Sequence, residues 1–259
     1  MSGTRPVRFD RLTPKGERRE AERAVAVECP VALEFNGIGY AVLMASPADI
    51  GDLATGFALS ERLVEGHSQV TGIDVHETEQ GLLVRVRIAA ERQGAIEARV
   101  RHRVTESACG LCGIENLEQA LRPLPAIGQS SRADNRAIFR ALEALSSAQP
   151  GNRATGAMHA AALCNADGEP VLVREDVGRH NAFDKLIGAM ARTGRGWEGG
   201  FALLSSRCSY ELVEKAALAD CPLLVTISAP TSLAMERARE AGLPLVVLAR
   251  PDAMLVPVA

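Results

Sequence analysis

Phe201-Ala-Leu-Leu-Ser-Ser-Arg-Cys-Ser-Tyr-Glu-Leu-Val-Glu-Lys-Ala-Ala-Leu-Ala-Asp-Cys-Pro-Leu-Leu-Val-Thr-Ile227 decides the fold class. A short apolar run, Phe201 to Ser205, ends in a polar turn. An amphipathic stretch from Tyr210 to Ala219 follows, and a second apolar run fills Leu223 to Ile227. Runs this short and this apolar read as strands buried on both faces. The pattern extends in both directions. Leu233–Glu240 reads as a helix and Leu243–Ala249 as a strand. Upstream, an apolar strand at 158–164 turns through Asp167-Gly168 into Pro170-Val-Leu-Val-Arg-Glu-Asp176, and a helix follows from Asn181 to about Arg192. Strands alternating with helices predict an α/β core over 132–259, a mixed, largely parallel sheet with helices on both faces. In such sheets ligands bind beyond the carboxyl ends of the strands.

Ahead of this core, 26–105 reads as a smaller N-terminal α+β subdomain. Val31-Ala-Leu-Glu-Phe-Asn-Gly-Ile-Gly-Tyr-Ala-Val-Leu-Met44 predicts a hairpin turning at Asn36-Gly37. A helix is expected next, with Ser46 as N-cap, Pro47 in the first turn and Asp49 favoured by the dipole. Ile50, Leu53, Phe57 and Leu63 mark its buried face, and Gly66 its stop. Two strands are expected at about 82–88 and 95–104. Their period-two spacing sets Arg85, Arg87, Arg99, Arg101 and Arg103 on outward faces, either as a solvated side or as a basic wall. Residues 1–25 are polar and read as a partly ordered arm. Residues 106–131 hold a cysteine loop, a short helix and a linker, and Asp134–Ser147 reads as an amphipathic helix.

A 259-residue chain with 47% apolar residues buries a real core, as one large domain or two small ones. Its net charge of −3 gives no general pull toward nucleic acid or anionic lipid. Almost every cation is arginine, with lysine only at 15, 185 and 215. Arginine suits bidentate phosphate contacts, but high-GC coding gives the same bias. Of the cysteines at 29, 109, 112, 164, 208 and 221, only 109 and 112 are close in sequence, unlike a secreted disulfide framework. Met1–Arg23 lacks the apolar segment of a signal peptide, and no apolar run approaches the ~18 residues of a membrane span. The expected setting is a reducing cytoplasm.

Three constellations carry candidate chemistry. Glu106-Ser-Ala-Cys-Gly-Leu-Cys-Gly-Ile-Glu-Asn-Leu117 holds Cys109 and Cys112, two thiols that can share a metal, form a disulfide or relay a sulfur atom. Ile114–Leu121 reads as helix, so the pair meets a helix N-terminus. That position favours the thiolate and lowers a cysteine pKa from about 8.5 toward about 7. The second is Glu175-Asp-Val-Gly-Arg-His-Asn-Ala-Phe-Asp-Lys-Leu-Ile-Gly188, at a strand-to-helix junction. Asn181 and Asp184 form a variant capping box there. Arg179 and His180 then lie at the helix mouth, where anions are favoured, unless these charges merely tie the loop together. The third is a pair of hydroxyl-rich turns. Ser205, Ser206 and Arg207 suit a phosphate or sugar, with Ser209 as a plain helix cap the alternative, and Ser228-Ala-Pro-Thr-Ser232 adds another small turn. Together these turns would line one crevice of a kind suited to nucleotide-like ligands, although no Walker or Rossmann glycine pattern is present.

These residues resemble the FdhD family of formate dehydrogenase accessory sulfurtransferases. The likeness runs from about Val31 to Arg250. It rests on Asn36-Gly-Ile, Met44-Ala-Ser-Pro, Cys109-Gly-Leu-Cys-Gly, His159-Ala-Ala-Ala-Leu, Arg174–Gly188, Ser205-Ser-Arg and Ser228-Ala-Pro-Thr. The resemblance implies a sulfur carrier that takes persulfide sulfur from a cysteine desulfurase. It would pass that sulfur to the molybdenum cofactor, in its bis(molybdopterin guanine dinucleotide) form, before the cofactor enters formate dehydrogenase. It further implies a core like that of cytidine deaminases, a homodimer, and no permanently bound metal. By position, Cys109 matches the persulfide-bearing cysteine and Cys112 its partner. The cofactor segment falls on Leu248, Ala249, Arg250, Pro251, Asp252 and Ala253. Arg179, His180, Ser205 and Arg207 complete the expected cofactor site.

Four rival readings stand beside this one. A structural zinc site wants four ligands, yet there is no second cysteine pair and His102, His159 and His180 are not closely spaced. Deaminase chemistry needs His-x-Glu and Pro-Cys-x-x-Cys elements, whereas His159 is followed by two alanines and no proline precedes Cys109. A thioredoxin-like dithiol oxidoreductase expects its pair at the start of a compact βαβ unit. A cofactor-binding chaperone, for which the thiols matter little, is the non-catalytic alternative.

Overall fold

The computed structural model describes residues 3–104 and 121–258, the side chains of 99–104 excepted. The α/β core contains the expected mixed sheet. Its strands are β7 (His159–Cys164), β8 (Pro170–Asp176), β9 (Phe201–Leu204), β10 (Leu224–Thr226) and β11 (Leu245–Val246), in the order β11-β10-β9-β7-β8. Within this sheet parallel pairing is confined to β9, β10 and β11, while β7 runs antiparallel to both its neighbours. Helices cover both faces. Ala161 and Leu163 of β7, with Ala202 and Leu204 of β9, face α5 (Arg179–Thr193), α6 (Tyr210–Leu218) and α7 (Ser232–Ala241). The alternate residues, Ala160, Ala162, Cys164, Phe201 and Leu203, pack against α3 (Asn135–Leu145) on the other face. Asp134 caps α3 by accepting the Ala137 N–H at 2.7 Å. A short helix absent from the sequence reading, α4, spans Pro150–Thr155.

The N-terminal sheet has the order β4-β3-β6-β5, from β3 (Cys29–Phe35), β4 (Ile38–Ala45), β5 (Val70–Thr78) and β6 (Gly81–Ile88). Asn36 and Gly37 both take positive φ, 47° and 84°, the geometry of a two-residue type I′ turn. The Asn36 side chain also accepts from Ile88 N and donates to Ile88 O, tying the turn to β6. Val84, Val86 and Ile88 are buried, and Arg85 and Arg87 face solvent, as the alternation predicts. The helix α1 (Ile50–Ser60) packs its Leu53 and Phe57 on this sheet.

Several expectations give way here. The polar arm is an antiparallel ribbon of β1 (Thr4–Leu12) and β2 (Arg18–Ala26). Its strands are mostly exposed and charged, and Asp10 pairs across to Arg18, so it lacks the apolar alternation that betrays a strand. Strand β5 also escaped notice, having few buried residues. The segment expected as a strand over 95–104 is instead α2 (Gln93–Val104). Ile96, Val100 and Val104 fit a helical i, i+4, i+8 stripe as well as a period of two, and Gln, Glu, Ala and Arg favour the helix. Arg99, Arg101 and Arg103 therefore lie on a helix rather than on an extended wall.

Both expected caps move as well. The N-cap of α1 is Asp49, at φ 54° and with no side-chain capping bond. Ser46 is diverted to the core: its N–H donates to Asp176 Oδ2 at 3.0 Å and its hydroxyl accepts from Val177 N at 3.2 Å. The N-cap of α5 is Gly178, and Asn181 lies inside the helix, donating to Met44 O and Asp176 Oδ1. Tertiary partners outbid local capping at both positions.

Those diversions belong to one seam between the two halves. Gly56 of α1 and Gly188 of α5 let their helices meet backbone to backbone. A Cβ on Gly56 would stand 1.8 Å from Asp184 O, and one on Gly188 1.9 Å from Asp52 O. Three buried carboxylates lock this contact. Asp52 takes Arg174 at 2.8 Å and also Arg192. Asp184 takes Lys215 at 2.7 Å and the Ser60 hydroxyl at 2.7 Å. Asp176 takes Lys185 at 2.6 Å, both side chains being fully buried.

Candidate functional site

The carboxyl ends of β9, β10 and β11 lie on one edge of the core sheet, and the turns that follow are stitched together through the backbone. Ser205 N donates to Ala160 O, Ser228 N to Ser206 O, Leu248 N to Ser228 O and Ala249 N to Thr226 O. Antiparallel β7 starts at this edge and β8 ends there, with His159 opposite Asp176. The structure thus brings His159, the 177–180 loop, the 205–209 turn, the 227–232 turn and the 248–253 segment to one place. Helices α5, α6 and α7 all begin at this edge. Their unpaired N–H groups and dipoles, about half a positive charge each, favour an anion.

Each expected residue within the described part of the chain has a definite setting. Arg179 opens α5, and its Nε is buried with no hydrogen-bond partner among the described residues. His180 Nε2 lies 2.7 Å from Glu211 Oε2 and 3.4 Å from Ser209 Oγ. That hydrogen bond holds the Glu211 carboxyl below the usual carboxylate range. Ser205 is taken up structurally, its Oγ accepting from Ala160 N at 2.8 Å. Arg207 is exposed beside it. Ser209 sits at the N-cap position of α6 but makes no capping bond with its side chain. In the C-terminal segment Leu248 takes φ 49° and Ala249 is buried. Arg250 N donates to Ala253 O at 2.8 Å, closing an exposed turn over Pro251 and Asp252. Cys109 and Cys112 lie outside the described residues.

The other four thiols are poor nucleophiles. Burial pushes Cys164, Cys208 and Cys221 up to about 12. Cys29 is also raised, chiefly by burial and next by Asp176, with Lys185 opposing. None of these positions favours a thiolate.

The sequence reading passed over two parts of the site. His159 drew attention only through a motif, yet it stands at the edge near Arg179 and His180. Burial first, and then Arg179, hold its pKa below 6.5, with Asp176 opposing. The unfolded chain takes up a proton near pH 6.5 that the folded imidazole resists. The stability this group contributes is complete above that value and is lost as pH falls toward the folded pKa. His159→Gln is expected to flatten the decline of Tm between about pH 7 and about pH 5. A variant whose Tm falls as steeply as the parent's would contradict this assignment. The second omission is the anchor Asp176–Lys185, for which the sequence held a signal. In a chain that uses arginine almost everywhere, two of the three lysines, Lys185 and Lys215, are the partners of buried aspartates.

Comparison with known proteins gives a consistent picture. Residues 26–256 match the FdhD/NarQ family. A "Sulfur carrier protein FdhD" from Variovorax paradoxus is 44% identical over 232 residues, covering 90% of this chain and 84% of that one. A protein of the same name from Xanthomonas euvesicatoria pv. vesicatoria is 46% identical over 244 residues, covering 94% and 87%. Among solved structures, a candidate formate dehydrogenase accessory protein from Desulfotalea psychrophila superposes with a TM-score of 0.75 at 22% identity. That match covers 98% of this chain and 96% of that one, a likeness of fold.

Proposed function

This chain belongs to the FdhD/NarQ family, and on that footing we propose that it is a sulfur carrier serving formate dehydrogenase maturation. Sulfur would be held as a persulfide on Cys109. The observation that carries this reading is the state of the other thiols: burial raises all four described cysteines, Cys164, Cys208 and Cys221 to about 12, which favours the Cys109–Cys112 pair as the sulfur carrier. Loading is an exchange. The Cys109 thiolate attacks the terminal sulfur of a desulfurase persulfide, one S–S bond breaks as another forms, and the donor leaves as its own thiolate. Release can follow by attack of Cys112 on Cys109 Sγ. That step expels hydrosulfide and leaves a Cys109–Cys112 disulfide, whose two electrons have reduced the sulfane sulfur.

The client ligand is the molybdenum cofactor as its bis-guanine dinucleotide, bound at the sheet edge. What supports this is the chemistry of that edge: three helix N-termini, the orphaned Arg179 Nε, Arg207 and Arg250, and small hydroxyl-bearing turns. These groups suit pyrophosphate oxygens and sugar hydroxyls. Leu248–Ala253 supplies backbone groups beside them. A cysteine desulfurase as donor and a homodimer as the working state complete the proposal. No described helix is long and apolar enough to cross a membrane.

The direct test is mass spectrometry of the protein after incubation with a cysteine desulfurase and cysteine. An increment of about 32 Da, one sulfur atom, on the peptide containing Cys109 is the expected result. An unmodified Cys109 peptide, with sulfur found elsewhere or nowhere, would reject it.

A further inference from the structure

At the far end of α5 from the sheet edge lies a cavity of about 640 Å³, within the range of small-molecule sites. Its apolar wall includes Leu59, Met190, Trp197 and Leu218. Three helices end on it: α1 through Leu59 and Ser60, α5 through Met190 and Ala191, and α6 through Leu218 and Ala219. Helix C-termini carry about half a negative charge each, so this end has the opposite polarity to the sheet edge.

Basic groups nonetheless line the cavity, and some lack partners. Arg92 is paired with Glu65, and Lys215 with Asp184. Arg62 pairs through its Nη2 with Glu214, but its Nε is buried without a hydrogen-bond partner among the described residues. The Nδ1 of His67 is likewise buried and unpartnered. Arg195 is exposed at the rim and makes no ion pair or side-chain hydrogen bond with the described residues. The two acids on the wall are committed elsewhere: Glu65 pairs with Arg92, and Asp220 accepts from Gly128 N and Gln129 Nε2.

We propose that this cavity is a second binding site, selective for a small monoanionic carboxylate with an apolar body. The apolar wall takes the body, and the cationic rim formed by Arg195 and Arg62, with His67 also on the lining, takes the carboxylate. The three helix C-termini oppose each added negative charge, which favours a monoanion over a polyphosphate and so separates this ligand from a nucleotide. The 15 residues of α5 span about 22 Å, so occupancy of this cavity leaves the sheet edge free.

Trp197 is the only tryptophan in the chain and lines the cavity, so its fluorescence reports occupancy. The test is titration of the full chain with sodium octanoate, followed by Trp197 fluorescence and by calorimetry. Octylamine, of equal length and opposite charge, is the competitor. Saturable binding of octanoate that octylamine does not displace is expected. Arg195→Gln removes an exposed cation and is expected to weaken octanoate about five- to tenfold. Gly196 lines the cavity with nothing within 4 Å of its Cβ position, so Gly196→Phe fills the space and is expected to abolish binding. Competition by octylamine, absence of saturable binding, or unchanged affinity in either folded variant would overturn the proposal. Should Gly196→Phe fail to fold, Arg195→Gln alone decides.

Discussion

Lys185→Met is expected to cost the protein about 3–5 kcal/mol of folding stability, the toll of leaving a buried carboxylate without its cation. The ammonium of Lys185 lies 2.6 Å from Asp176 Oδ2 and also donates to Ser46 O at 3.1 Å and Glu175 O at 3.4 Å. Neither Lys185 nor Asp176 is exposed to water, so solvent cannot replace the lost donors. Denaturant unfolding measures the effect as a lower midpoint. The same carboxylate holds Ser46 N, Gly178 N and Asn181, and so fixes the backbone leading into Arg179 and His180. Binding of guanine nucleotide at the sheet edge should therefore weaken along with stability. Adding Asp176→Leu to Lys185→Met removes the stranded charge and should restore part of the loss, though not the three other bonds that Asp176 accepts. A midpoint within experimental error of the parent would show that the pair holds nothing together.

The other large effect is functional. Cys109→Ala is expected to abolish acceptance of labelled sulfur from a desulfurase while leaving guanine nucleotide binding intact. The remaining thiols are poor substitutes. A thiol whose pKa is about 12, as at Cys164, Cys208 and Cys221, is thiolate in about one molecule in 10⁵ at neutral pH. Cys112→Ala should separate the two steps, loading sulfur on Cys109 but releasing it poorly, because the attacking partner is gone. Undiminished labelling of Cys109→Ala would favour a cofactor-binding chaperone over a carrier.

The core was legible wherever one periodicity dominated. The β9–α6–β10 stretch reads unambiguously because its apolar runs are too short for helices and its middle is amphipathic. Asn36-Gly37 names its own turn, since both residues tolerate positive φ. Residues 95–104 misled because arginine alternating with small and branched residues satisfies two periods at once, and only packing of Ile96 decides between them. The caps misled for a different reason. Ser46 and Asn181 are good local caps, but each meets Asp176, a partner 130 positions from Ser46, and sequence neighbours cannot announce such a contact. The candidate site divided similarly. Charges gathered at a strand end were visible as a cluster, whereas the orphaned Nε of Arg179 and the depressed pKa of His159 depend on burial.

The seam of paired glycines and enclosed carboxylates also bears on how the chain is made. Ser60 and its partner Asp184 are 124 positions apart, so at about 5–20 residues per second α1 waits roughly 6–25 s on the ribosome for the segment that covers it. Throughout that interval its glycine face and Asp52 have no counterpart. The nascent N-terminal half is then the stage most open to chaperone capture or proteolysis, and release of a prematurely terminated chain would leave it there for good.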